Sequence, residues 1–171
     1  MGSVFCVLLG VTSAAAFEQA DLEKLITTKN CTGGTFSTCD LQGADLSDLD
    51  LSGAVLTEAN LSNAIFSNTN LRGANLQEAI LTGARFSRVD FQNAKLMQAN
   101  FEGSQMIWVD FAAADLTEVN LQKSVLKGVS FRGATLENIN LTGVDQRLVD
   151  MSLASGLKRE RCKAGSLGMC K

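Results

Sequence analysis

At 171 residues the chain is long enough for one ordinary domain with a core of its own. Its formal net charge of −3, from 18 Asp and Glu against 15 Lys and Arg, excludes a generally basic nucleic-acid-binding surface and is too mild for a disordered acidic chain. There is no His, so the commonest general base and metal ligand is missing, and no Pro, so no donor is removed from a regular backbone ladder.

The first predicted element is a leader over residues 1–16. An apolar run from Val4 to Val11 is followed by small residues, and Ala14-Ala15-Ala16 has the form of an A-x-A processing site. The run is too short to span a bilayer, and no Lys or Arg precedes it. Met1-Gly2 also resembles a myristoylation signal, but Cys6 stands where Ser or Thr is required. The reading is an export or thylakoid-type signal.

Residues 17–35 follow as a capping helix and a Cys loop. The stretch "FEQADLEKLITTK" sets Leu22, Leu25 and Ile26 at i, i+3 and i+4, which predicts a short helix laid over the start of the block that follows. Cys31 and Cys39 form one pair eight apart, and Cys162 and Cys170 form another at the far end of the chain. Local pairs at domain ends point to disulfides in an oxidising compartment. Unpaired thiols are the alternative, and zinc matches poorly at this spacing without His.

From Phe36 to Leu141 a large apolar residue falls at every fifth position, 22 times without insertion or deletion: 14 Leu, 7 Phe and Met106. Neither a helix, with period 3.6, nor a strand, with period 2, repeats this way. With the large residue numbered i, position i−2 is small or β-branched, Ala at 11 units and Val at four. Positions i−1, i+1 and i+2 are mostly polar or Gly. Self-similarity at a fixed short period marks a solenoid, with i and i−2 inside and the rest outside. Gly or Asn at i+2 in 12 of the 22 units suits a turn with positive φ. Phe66/Phe86 and Phe91/Phe111/Phe131 lie 20 residues apart, so four units per coil would stack their rings on successive rungs.

"GADLS", "EANLS", "RGANLQ" and "QANFE" carry the A-(D/N)-L-x-x signature of the pentapeptide-repeat family, which this block resembles over about 110 of the 171 residues. The resemblance implies an all-β, right-handed quadrilateral β-helix over residues 36–145, of about five and a half coils. At about 4.8 Å between stacked strands the rod would be about 25 Å long. Each inward Leu or Phe contributes roughly 1.5–3 kcal/mol before the entropy of ordering the chain. The opening "LITTKNC…CDLQGADL" is similar to that of exported cyanobacterial and chloroplast thylakoid-lumen members.

In residues 146–171 the period fails at Gln146, and Leu148, Met151 and Leu157 predict a second capping helix, tied down by Cys162–Cys170. The same logic ties the first turn by Cys31–Cys39, and a closed loop of this size stabilises by roughly 2–3 kcal/mol in the chain-entropy model.

No Ser-His-Asp or Cys-His set, Walker loop or metal-spaced cluster occurs, so no catalytic, cofactor or metal residues are expected, nor a small-molecule substrate. The outward ladders Asp40/Asn60/Asn100/Asn120/Asn140 and Asp50/Asn70/Asp90/Asp110 read as hydrogen-bonded columns, a cation or basic-partner surface being the alternative. "QMIWVDFAAADL" breaks the polar rule outside. Ile107 and Trp108 take i+1 and i+2, Ala112 and Ala113 follow on the next unit, and Arg88 lies one coil from Trp108. An exposed Trp beside Ile is an interface anchor, or else a ring lying flat on its own rod.

The expected function is a non-enzymatic interaction module. The resemblance points to a lumen-side accessory subunit of a photosynthetic membrane complex, peripheral to the membrane at most and binding no nucleic acid. The alternative it offers is a DNA-mimic ligand of DNA gyrase. For that reading residues 40–145 carry 13 acids and 7 bases, while the tail after Asp145 is basic, with 6 Lys and Arg against 2 acids.

Overall fold

The computed structural model describes residues 19–31 and 39–157. It is a parallel β-solenoid preceded by one short helix, α1 (Gln19–Thr28). Five three-residue strands line one face: β1 (Ile65–Ser67), β2 (Arg85–Ser87), β3 (Gln105–Ile107), β4 (Val125–Lys127) and β5 (Asp145–Arg147). They pair in parallel in sequence order, Phe66 with Phe86, Met106, Leu126 and Gln146 in turn, so that each turn of the spiral takes 20 residues.

The other three faces pair through single bridges at the same interval. One column runs Asp40–Asn60–Ile80–Asn100–Asn120–Asn140, a second Asp50–Asn70–Asp90–Asp110–Ser130–Asp150, and a third Val55–Asn75–Lys95–Asp115–Thr135–Ser155. The rod is therefore four-sided, with one pentad per side. β1 to β5 mark four complete turns, and isolated bridges carry the pairing beyond them at both ends, from Asp40 to Ser155.

The period of five is the sum of an in-out-in extended piece and a turn. The inward i residues fill the axis, buried from Leu41 to Leu136, and the Ala or Val at i−2 lies buried beside them. Position i+2 has positive φ along the whole rod, taken by Gly where present (Gly43, φ 72°) and otherwise by residues as different as Glu58 (φ 58°) and Trp108 (φ 56°). The left-handed geometry is thus a demand of the spiral, met at a cost of about 1–2 kcal/mol wherever a side chain sits there. The expected ring stacks form: Phe66–Phe86 at 4.9 Å, Phe91–Phe111 at 4.9 Å and Phe111–Phe131 at 5.2 Å between centroids, all nearly parallel.

At the N-terminal end α1 covers the first coil as predicted. Leu25 is fully buried and Leu22 packs on the core, but Ile26 is 52% exposed, because the third residue of the expected stripe turns past the edge of the rod. Lys29 ends the helix in left-handed backbone (φ 53°), its N–H donating to Leu25 O at 2.8 Å. The chain then enters the spiral at once: Asn30 bridges to Val55, filling the rung that a strict count of 20 assigns to residue 35. Asp21 Oδ2 accepts the Asp40 N–H at 2.9 Å and so joins helix to coil. Cys31 and Cys39 form the expected disulfide, buried, with Cα atoms 5.4 Å apart.

The C-terminal end corrects the sequence reading. Residues 146–157 form no capping helix: β5 spans Gln146, and bridges continue to Asp150 and Ser155. Gln146 interrupts only the i column. Val144, Val149 and Ala154 keep i−2 small or β-branched, Met151 restores i, and Asp150 restores the turn. Leu148 (75% exposed) and Leu153 (79%) are the i+2 residues of this last turn and point outward, so Leu148, Met151 and Leu157 do not share a helix face. The predicted leader and the Cys162–Cys170 pair lie outside the described residues.

Candidate functional site

The faces do not use their outer positions alike. On the faces of Asn60 and Asn70 the Asp or Asn at i−1 bends back to accept the backbone N–H two residues on: Gln42 to Asp40 (3.1 Å), Ser62 to Asn60 (3.2 Å), Arg72 to Asn70 (3.1 Å), Gln122 to Asn120 (3.0 Å). These Asx turns explain the D/N of the motif, since a short side chain with an acceptor satisfies the donor that the tight corner leaves open. The same side chains then link coil to coil. Asn60 Nδ2 donates to Asp40 (2.9 Å), Asn70 to Asp50 (3.0 Å), Asn120 to Asn100 (3.0 Å) and Asn140 to Asn120 (3.2 Å).

Carboxylates stacked in the Asp50 column are compensated in place. Arg72 bridges Asp90 (3.0 Å) and Gln92 (2.7 Å), Gln92 donates to Asp110 (2.7 Å), and Lys29 reaches Asp50 (3.4 Å). Two carboxyls are held below their ordinary values, Asp50 by the side chain and then the backbone N–H of Ser52, Asp150 by the backbone N–H and then the side chain of Ser152. Among the described residues no group of three or more His, Cys, Asp and Glu is placed to hold a metal ion. The ladders tie successive coils together through these hydrogen bonds and ion pairs.

The face of β1–β5 is different. Its i−1 residues from β1 to β4, Ile65, Arg85, Gln105 and Val125, are neither Asp nor Asn and close no Asx turn, and the backbone runs on as strand; Asp45, one rung earlier in the same column, still accepts the Ser47 N–H at 3.0 Å. Ile107 (38% exposed), Trp108 (55%) and Val125 (39%) form an apolar patch in the middle of the face. The Trp108 ring leans toward the next coil and lies over Gly128, where a Cβ would come within 2.6 Å of Trp108 Cζ3. Part of the ring lies against the Gly128 backbone, and the rest is left to solvent.

Of the residues singled out from sequence, Ile107, Trp108 and Arg88 share this face, Arg88 N–H donating to Ile107 O at 2.9 Å. Ala112 and Ala113 do not. They turn the corner onto the Asp110 face, where Ala112 N–H closes the Asx turn at 2.9 Å and Ala113 takes the left-handed corner (φ 56°). Sequence reasoning missed Arg85, Lys127 and Arg147, which the 20-residue register sets around the same patch. Writing the chain in rows of 20 would have aligned them.

Three matched stretches, residues 36–73, 64–103 and 104–145, fit the family model for pentapeptide repeats. No curated protein matches. Solved structures similar to the chain include a pentapeptide repeat protein, Rfr23, from the cyanobacterium Cyanothece 51142, at 25% identity over 80% of this chain and 94% of that one, TM-score 0.45. A pentapeptide repeat protein from the Arabidopsis thaliana thylakoid lumen is 29% identical over 74% of this chain and 77% of that one, TM-score 0.26. The plasmid-mediated fluoroquinolone resistance protein QnrB1 is 20% identical over 71% of this chain and 68% of that one, TM-score 0.38.

Proposed function

The chain belongs to the pentapeptide-repeat family, and from that premise we propose that it is a non-enzymatic, rigid docking module. It is exported to an oxidising compartment, the thylakoid lumen or cyanobacterial periplasm, as a peripheral lumen-side subunit of a photosynthetic membrane complex. The observation that carries the docking role is Trp108, which leans over Gly128 yet stays 55% exposed beside Ile107. A large exposed aromatic offers much contact area with only two side-chain torsions to fix when a partner covers it, which is what an interface anchor needs. Such a side chain is not required by the turn it occupies, since the same corner is Gly, Asn or Glu elsewhere on the rod.

Export is supported by the buried Cys31–Cys39 disulfide, by the apolar run and Ala14-Ala15-Ala16 of the leader, and by the likeness of the "LITTKNC…CDLQGADL" opening to exported members of the family. The test is native electrophoresis of purified thylakoids carrying a tagged copy. The protein is expected to co-migrate with one membrane complex, and Trp108→Ala to release it. Free migration of the unaltered chain sinks the reading, and capture of purified gyrase would put the DNA-mimic alternative in its place.

A further inference from the structure

The chemistry of the β1–β5 face narrows the partner, on the premise that this face docks. From β2 to β5 it carries Arg85, Arg88, Lys127 and Arg147, against one acid, Asp145, which Arg147 approaches at 3.7 Å. Arg85, Arg88 and Lys127 form no ion pair among the described residues, whereas on the neighbouring faces Arg72 pairs with Asp90 at 3.0 Å and Lys123 with Glu102 at 2.9 Å. The rod as a whole is acidic, so four bases gathered around an apolar centre oppose the overall charge. Burying Ile107 and Trp108 against a neutral or basic partner would leave these cations without a counter-charge.

We infer that the β1–β5 face binds an extended acidic peptide segment of a partner protein, its carboxylates meeting Arg85, Arg88, Lys127 and Arg147 while an apolar side chain between them covers Ile107 and Trp108. The dimensions agree. The bases occupy both ends of a strip of four rungs, β2 to β5, about 14 Å long at roughly 4.8 Å per interval, which an extended chain spans with about four or five residues. The width favours a single chain over an anionic membrane or a nucleic acid. Asp110 stands just past the corner at Trp108, so a broad anionic surface pressed on this face would also meet the carboxylate column beside it.

Trp108 is the only Trp in the chain, so its fluorescence reports on this face alone. The full chain is titrated with a peptide about nine residues long, Glu and Asp around a central Phe, and with its Gln/Asn counterpart, long enough at about 3.4 Å per residue to cross the strip. The acidic peptide is expected to shift Trp108 emission saturably and to bind at least about tenfold more tightly than the neutral one, with the difference shrinking in high salt. R88E/K127E, and independently R85Q, should weaken it, by about tenfold or more for the charge reversal, while R132E on the adjoining face leaves it unchanged. Equal binding of the two peptides, no saturable change, an equal loss in R132E, or a response only to phosphatidylglycerol vesicles or duplex DNA overturns the inference. If Trp108→Ala frees the protein from its complex and the acidic peptide still does not bind, docking stands and its acidic chemistry falls; the opposite pair of results spares the chemistry and removes the proposed complex.

Discussion

The Asn60 face and the β1–β5 face of this rod share one core and one 20-residue register, yet they use their outer positions in opposite ways. On the first, each Asp or Asn at i−1 closes a turn and most reach the next coil, so the motif residues are consumed in holding the spiral together. On the second, no Asp or Asn stands at i−1 from β1 to β4, and the outer positions carry Arg, Gln, Val, Ile and Trp that satisfy nothing in the backbone. A repeat fold can thus keep its structure on some sides and leave another free to vary. On that free side, an unusual residue is informative.

The comparison assumes a common core, and breaking the core should damage both faces together. Phe111 stacks between Phe91 and Phe131 and is fully buried. Phe111→Ala is expected to cost about 3–5 kcal/mol in denaturant unfolding, the range for a large aromatic removed from a packed interior. A loss below about 1 kcal/mol would mean that the column collapses freely and is not a rigid axis.

The faces separate at the next level. Asn120 donates to Asn100 and accepts from both Gln122 N–H and Asn140, and Asn120→Ala should cost about 1–3 kcal/mol by stranding those partners. Gln105 occupies the same i−1 position on the strand face, exposed, and Gln105→Ala should stay within about 0.5 kcal/mol. Equal losses would erase the distinction between a structural and a free face.

Much of this was legible in the sequence, because the signal repeats. The inward Leu and Phe, the small i−2 residue, four units per coil and the ring stacks all follow from a period of five with Phe residues 20 apart. The N-terminal helix and the Cys31–Cys39 bridge were readable from local spacing. The C-terminal end was not, since attention to the i column made Gln146 look like a stop, while Val144, Val149, Ala154 and Asp150 still carried the pattern. The site was half visible. Trp108 and Ile107 stand out as violations of the polar rule, but Ala112 and Ala113 are next to them only in sequence, and the direction in which the Trp108 ring falls depends on a glycine 20 residues away.

Trp108→Ala sharpens the contrast from the other side. The ring rests on Gly128 but stays more than half exposed, so its removal should change stability by no more than about 0.5 kcal/mol while abolishing partner retention. A loss of about 2 kcal/mol or more, read from the same denaturation curves, would make the ring a packing element of the rod.

The smallest expected effect is in acid, and it belongs to the laddered side. Asp50 and Asp150 both lie in the carboxylate column, and hydrogen bonds from Ser52 and Ser152 lower each below the ordinary value of 3.8. A carboxyl that ionises more readily in the folded chain than in the unfolded one contributes stability that is fully present above the unfolded value and is lost as pH falls through the folded one. Both groups are solvent-exposed, so the contribution is slight. Asn fills the same corner at Asn60 and Asn70 and accepts the same backbone N–H, so D50N/D150N should keep the turns while removing their titration. Urea unfolding between about pH 5 and pH 3 should then show a shallower decline in stability for the double variant than for the unaltered chain. Identical slopes would mean that the bonds from Ser52 and Ser152 survive equally well in the unfolded ensemble and add nothing to folding.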